Sequence, residues 1–305
     1  MTEILPLFPP PLKPGDKAAI VSPSGAVDNG YLQGAVARLK EWGLTPVVGE
    51  FADTVYGRYA GRAEERAQDL QQAINDPDVK AIFCARGGYG AIQIIEQIDF
   101  SSFELHPKWL IGFSDITVLH AAISALNAVS LHAVMAKQLT LNAADDDSLT
   151  FLQDILSGKT IDYRLPAHPL NRVGKAKATL AGGNLSIIQS LRGTFYDIYP
   201  ENKILFIEEV CEEPYKIDRM LQNLKVGGVL ENLSGLIVGQ FSECEEDASM
   251  MKSVYEGIAD AVADYDYPVC FDFPAGHVPR NLPLVLGAMH EFEVTEKGVS
   301  LKMIV

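Results

Sequence analysis

A serine that closes an apolar run and opens a helical one can serve as a nucleophile, and this chain has one at Ser114. The stretch Lys108-Trp109-Leu110-Ile111-Gly112-Phe113-Ser114-Asp115-Ile116-Thr117-Val118-Leu119-His120 reads as a short buried strand running into a helix, with apolar positions at Ile116, Leu119, Ile123 and Leu126. A sharp strand-to-helix turn lifts a side chain clear of the sheet. The helix start aims unpaired amides and a positive dipole end at the same spot, where an oxyanion would form. Ser and Asp are also favoured N-caps, and taken alone this stretch reads first as a capped helix.

A serine nucleophile needs a base and a group that orients the base. Of the six histidines, His277 stands in a polar turn, Gly276-His277-Val278-Pro279-Arg280-Asn281, that follows the apolar run ending at Phe273. His120 and His132 fall on buried faces and read as packing residues. The run Ile204-Leu205-Phe206-Ile207 ends in Glu208-Glu209. Successive strand residues face opposite ways, so only one of these acids can address a given site. A second turn, Arg86-Gly87-Gly88-Tyr89-Gly90, follows Cys84. Its paired glycines permit close backbone approach, which suits an amide donor in an oxyanion hole. Neither dinucleotide nor P-loop spacing is present. The acidic run Glu243-Cys244-Glu245-Glu246-Asp247 lacks a histidine pair and reads as a solvated loop, so no metal site is expected.

The elements that must position these residues alternate. Strands at 17–21, 45–49, 79–84, 108–113 and 129–132 are interleaved with helices at 32–42, 63–74, 92–98 and 116–126, and their near-continuous apolar runs imply a parallel sheet with helices on both faces. Ligands of such sheets bind beyond the carboxyl ends of the strands, where Arg86–Gly90 and Ser114 fall. A helix at 149–156 follows Asp145-Asp146-Asp147. The expected domains are an N-terminal α/β domain over 1–160, a linker over 161–175 and a C-terminal domain over 176–305. The last is mixed: a strand at 176–180, a Gly182-Gly183-Asn184 turn, helices at 187–191, 217–224 and 254–262, strands at 204–207, 236–239 and 269–271, and a hairpin at 291–303.

At 305 residues the chain is long enough for two cores. A formal net charge of −15 disfavours nucleic acid and anionic membranes as partners, since both are bound mainly through Lys and Arg, and points to a small substrate. The four cysteines are widely spaced, without a CxxC pair, and read as buried thiols of a reducing compartment. The leader from Met1 to Leu7 shows no export signal, and a cytoplasmic location is expected.

Taken together, Cys84-Ala85-Arg86-Gly87-Gly88-Tyr89-Gly90, Gly112-Phe113-Ser114-Asp115-Ile116-Thr117, Ala181-Gly182-Gly183-Asn184-Leu185, Phe206-Ile207-Glu208-Glu209 and Gly276-His277 resemble the LD-carboxypeptidases, a family that includes muramoyltetrapeptide carboxypeptidases and microcin C self-immunity peptidases. The likeness runs in order from about Lys13 to the C-terminus. It implies a serine peptidase with Ser114 as nucleophile, Glu208 as orienter and His277 as base, and an oxyanion hole from the amides of Gly88 and Asp115. It also implies a homodimer, no cofactor and a barrel-like sheet in the C-terminal domain. Two departures stand out. Glu209 occupies a position where the family often has Asp, and Ile116 replaces the last Gly of a GxSxG elbow.

The reaction expected is release of terminal D-Ala from an L-diamino-acid–D-Ala bond of murein tetrapeptide. Arg86, Arg280 and Lys137 are candidates for the substrate's terminal carboxylate, with an arginine favoured by its bidentate fork. Cleavage of a peptidyl-nucleotide antibiotic is the alternative within the family. A non-catalytic small-molecule binding protein is the alternative outside it, disfavoured by the lack of an export signal. A glutamine amidotransferase would want Cys where this chain has Ser114.

Overall fold

The computed structural model describes residues 6–198 and 201–304; the first five residues, part of the leader read for an export signal, lie outside them. The chain divides into two compact units, Met1–Lys159 with Leu282–Gly287, and Thr160–Asn281 with Ala288–Val305.

In the first unit, β1 (Lys17–Val21), β2 (Thr45–Val48), β3 (Val79–Cys84), β4 (Trp109–Gly112) and β5 (Ser130–His132) form a parallel sheet in the order β5-β4-β3-β1-β2. Every residue of β4 and β5 is buried although neighbours point to opposite faces, so both faces of this part of the sheet are covered. β2 is a largely exposed edge and carries Pro46, which costs an edge strand little. The helices form where the periodicity places them, at Asn29–Glu41, Ala63–Asn75, Thr117–Ala125 and Asp147–Leu156. Asp28 and Asp146 cap the first and last of these by accepting from Gly30 N and Ser148 N. The helix expected at 92–98 is shorter, one α-turn at Ala91–Ile94 followed by a 3-10 turn.

The second unit holds a seven-stranded mixed sheet. Its strands are β6 (Asp162–Pro166), β7 (Gly174–Asn184), β8 (Ile204–Val210), β9 (Gly235–Ser242) and β10 (Val269–Cys270), with the later β12 (Met289–Thr295) and β13 (Gly298–Ile304). The order is β10-β9-β8-β7-β12-β13-β6, parallel from β7 to β10 and antiparallel elsewhere. The two ends of that order curl toward each other as in a barrel. Arg172, just beyond β6, exchanges backbone hydrogen bonds with Val269 of β10, and the Tyr163 ring of β6 meets Phe273 edge-on at 5.8 Å.

Three features depart from the sequence reading. The expected linker at 161–175 contains β6, whose partner β13 lies far along the chain. The stretch Leu284–Leu286 forms β11, antiparallel to β5, and so returns to the first sheet; its three residues carry no period a sequence could reveal. The Gly182-Gly183-Asn184 turn is instead the end of β7, in register with Phe206, Ile207 and Glu208. A Cβ on Gly182 would lie 1.9 Å from the Phe206 carbonyl oxygen, so the glycine marks close strand approach here. The thiols differ as well: Cys84 and Cys270 are buried, but Cys211 is exposed and Cys244 partly so.

Candidate active site

Phe113 leaves β4 extended, and Ser114 then takes φ 67°, the left-handed region that a residue with a Cβ rarely adopts. One 3-10 turn, Ser114–Ile116, leads into the helix Thr117–Ala125. This is the sharp corner expected from the sequence. The turn Arg86–Gly90 packs on it: a Cβ on Gly87 would lie 2.8 Å from Ser114 Cβ, 3.0 Å from its Oγ and 3.2 Å from the Asp115 amide nitrogen. Only a glycine leaves room there. Among the described residues the Gly88 amide donates to no protein acceptor, so it is available to a ligand.

The floor of the corner is polar and buried. His120 Nε2 lies 2.9 Å from the Gly112 carbonyl and its Nδ1 2.9 Å from Ser130 Oγ. Burial pushes its pKa down to about 4, so the neutral ring donates through Nε2 and accepts from the hydroxyl. It is the packing residue that its position suggested. His132 is likewise fully buried, its ring 5.7 Å from that of Phe113.

In the second unit the two adjacent acids divide as strand alternation requires. Glu208, fully buried, accepts from His277 Nδ1 at 2.8 Å through Oε2. Glu209 faces the other way: its Oε1 accepts from Asn184 Nδ2 and the Val210 amide, and its Oε2 from the Ser186 amide. Burial raises the Glu209 pKa against those hydrogen bonds. Asn184 itself caps the helix Leu185–Ser190, so Glu209 belongs to the joint between that helix and β8. Burial opposes charge on His277, yet the hydrogen bond and the negative charge of Glu208 outweigh it, and its pKa is raised. The close approach depends on Gly276, at φ 132°, where a Cβ would fall 2.9 Å from Glu208 Oε2. Asn281 fixes this turn by accepting from the Gly276 amide at 2.9 Å.

Glu208 and His277 are thus brought together, as are Ser114, Gly87 and Asp115. The candidate cations are all exposed: Arg86, whose Nη1 donates to the Ala26 carbonyl, Lys137 and Arg280. Lys137 follows Ala136, whose amide donates to the Ala85 carbonyl beside Arg86. Among the described residues no cluster of His, Cys, Asp or Glu could hold a metal, and no helix is long and apolar enough to cross a membrane.

Sequence reasoning passed over Ser24 and Arg66. Ser24 donates to Asp115 Oδ2, and the buried Arg66 spans the Pro23 and Gly90 carbonyls. The signals were present: a Ser-Pro-Ser-Gly turn at the carboxyl end of β1, and a basic residue on the core side of the amphipathic helix Ala63–Asn75.

The chain matches the LD-carboxypeptidase N-terminal domain over residues 18–133 and the C-terminal domain of the same family over 177–292. A putative carboxypeptidase of Synechocystis is 36% identical, over 94% of both chains. A probable murein peptide carboxypeptidase of Bacillus subtilis is 34% identical over 95% of this chain and 92% of its own. The crystal structure of muramoyltetrapeptide carboxypeptidase from Oxalobacter formigenes superimposes with a TM-score of 0.87 at 26% identity, covering 94% of this chain and 98% of that one.

Proposed function

The chain belongs to the LD-carboxypeptidase family, and from that premise we propose that it is a serine peptidase releasing terminal D-Ala from murein tetrapeptide, at the bond to an L-configured diamino acid. The observation that carries the reading is the 2.8 Å pair of His277 Nδ1 with a fully buried Glu208. A carboxylate so placed holds the imidazole in the tautomer whose Nε2 can take a proton.

In the proposed reaction Ser114 Oγ attacks the carbonyl carbon while its proton passes to His277 Nε2. The amides of Gly88 and Asp115 hold the oxyanion, and loss of one such donor costs about 10²–10³ in rate. Collapse breaks the C–N bond, the D-Ala nitrogen takes the proton from His277, and an ester on Ser114 remains. Water then gives a proton to His277 and attacks the ester; Oγ recovers the proton and the shortened peptide leaves. No cofactor enters. A cation must hold the substrate's terminal carboxylate, and of Arg86, Arg280 and Lys137 the arginines offer the bidentate fork. Arg86 directly precedes Gly87, the residue packed on Ser114. The family resemblance extends the proposal to a cytoplasmic homodimer.

Ser114→Ala is expected to abolish D-Ala release, read by mass spectrometry of the products, with the circular dichroism spectrum unchanged. Full activity in that variant would overturn the serine mechanism. An aminoacyl sulfamoyl adenosine offered beside the tetrapeptide tests the peptidyl-nucleotide alternative, and preferential cleavage of the nucleotide would replace the murein reading.

A further inference from the structure

Beneath the Ser114 corner lies a buried polar network that the proposed reaction leaves unused. The Asp115 side chain is 1% exposed. Its Oδ2 accepts twice, from Ser24 Oγ at 2.6 Å and from the Ala91 amide at 2.9 Å. Those donors come from two different loops, the turn after β1 and the helix start after the Gly87-Gly88 turn. The Arg66 guanidinium, 2% exposed, grips the same two junctions from the other side, donating to the Pro23 and Gly90 carbonyls at 2.8 Å each and to Gln93 Oε1 at 2.8 Å. Arg66 therefore holds the C=O of the Gly90–Ala91 peptide bond while Asp115 holds its N–H.

The contacts close on themselves. Ser24 is followed by Gly25, whose amide donates to the Gly87 carbonyl at 2.9 Å, and Gly87 packs on Ser114, the neighbour of Asp115. A non-glycine residue held in the left-handed region is strained and persists only where its surroundings over-determine it. Here the surroundings are a ring that runs from Ser114 through the Asp115 carboxylate and back.

We propose that the Asp115 carboxylate, apart from its amide, is a positioning residue, tethering the Ser24 and Gly87-Gly88 loops so that Ser114 stays in its left-handed conformation and the oxyanion amides stay in place. The inference rests on the serine-peptidase reading above. A tether of this kind acts in the transition state, when the oxyanion forms, and leaves substrate binding alone.

The test measures kcat and KM for D-Ala release from murein tetrapeptide with Asp115→Ala, Asp115→Asn and Ser24→Ala. Asp115→Ala is expected to lose about 10²-fold in kcat with KM unchanged, the scale of one misplaced oxyanion donor. Asp115→Asn keeps an oxygen that can accept both hydrogen bonds and should retain most of kcat, while Ser24→Ala falls between. Wild-type kcat in Asp115→Ala, a loss confined to KM, or Asp115→Asn as impaired as Asp115→Ala would each overturn the tether. If Asp115→Ala does not fold, the other two variants decide: retention in Asp115→Asn with a kcat loss in Ser24→Ala supports it, and any other pattern overturns it. Ser114→Ala in the same series separates the failures, because turnover there overturns the peptidase reading itself.

Discussion

The corner at Ser114 and the turn at His277 are built in opposite ways. At the corner the proposed chemistry rests on backbone: a left-handed serine, a glycine packed within reach of its Cβ, and two amides proposed for the oxyanion, beside a network of buried side chains. At the turn it rests on one contact between side chains 69 residues apart, Glu208 and His277. Backbone amides cannot be deleted by substitution, so apart from Ser114 Oγ itself the corner fails through shape. The side-chain pair fails through the loss of a single atom.

That difference is broken most sharply at the adjacent acids. Glu208→Gln should lower kcat by about 10²–10⁴-fold, the range attributed to positioned acid–base catalysis. Glu209→Gln should leave kcat nearly intact and instead destabilise the fold by about 1–3 kcal/mol, because Gln keeps only one acceptor oxygen for the three donors and turns an N–H donor toward the remainder. Steady-state kinetics beside thermal denaturation checks both, and the reverse ranking in kcat would move the orienting role to Glu209.

Next come the two glycines. Gly87→Ala places a methyl group 3.0 Å from Ser114 Oγ and should cost about 10²–10³ in kcat by displacing the oxyanion amides. Gly276→Ala puts its methyl 2.9 Å from Glu208 Oε2 at a φ hostile to a Cβ. Its effect should appear in the pH profile as well as the rate. The proposed base must be neutral to act, and the His277 pKa is raised above its ordinary 6.5, so the acid limb of kcat/KM should lie above 6.5 in the parent protein. Prying Glu208 away should move the limb down, and an unmoved limb in Gly276→Ala would separate the pair from the titration. The linked stability has the same sign: the pair stabilises the folded state fully below pH 6.5, and that contribution is lost as pH rises through the raised pKa.

The smallest effect sharpens the backbone side. Ser114→Gly removes both the proposed nucleophile and the penalty of a left-handed Cβ, and should stabilise the protein by about 1 kcal/mol relative to Ser114→Ala. Equal melting temperatures for the two would mean that the corner stores no strain.

Much of the fold was legible because its signals are local. Continuous apolar runs identified β1, β3 and β4, a period of 3.6 identified Asn29–Glu41 and Ala63–Asn75, and alternation identified the β12–β13 hairpin. What escaped was short or non-local. β11 has three residues and pairs with a strand more than a hundred positions earlier, and β6 was hidden because its partner β13 lies more than a hundred positions later. Gly182 looked like a turn because a glycine pair signals conformational freedom, and only the register with Phe206 shows that freedom used for strand approach.

The site divides in the same way. The residues around Ser114 by themselves determined a strand, a corner and a helix, since each follows from spacing over a dozen positions. For Glu208 and Glu209 the sequence determined that they face apart, because strand side chains alternate. Which of them meets His277 no local pattern encodes: the family resemblance pointed to Glu208, and the tertiary structure makes the contact, because the choice depends on which face of β8 the distant Gly276 turn lies against.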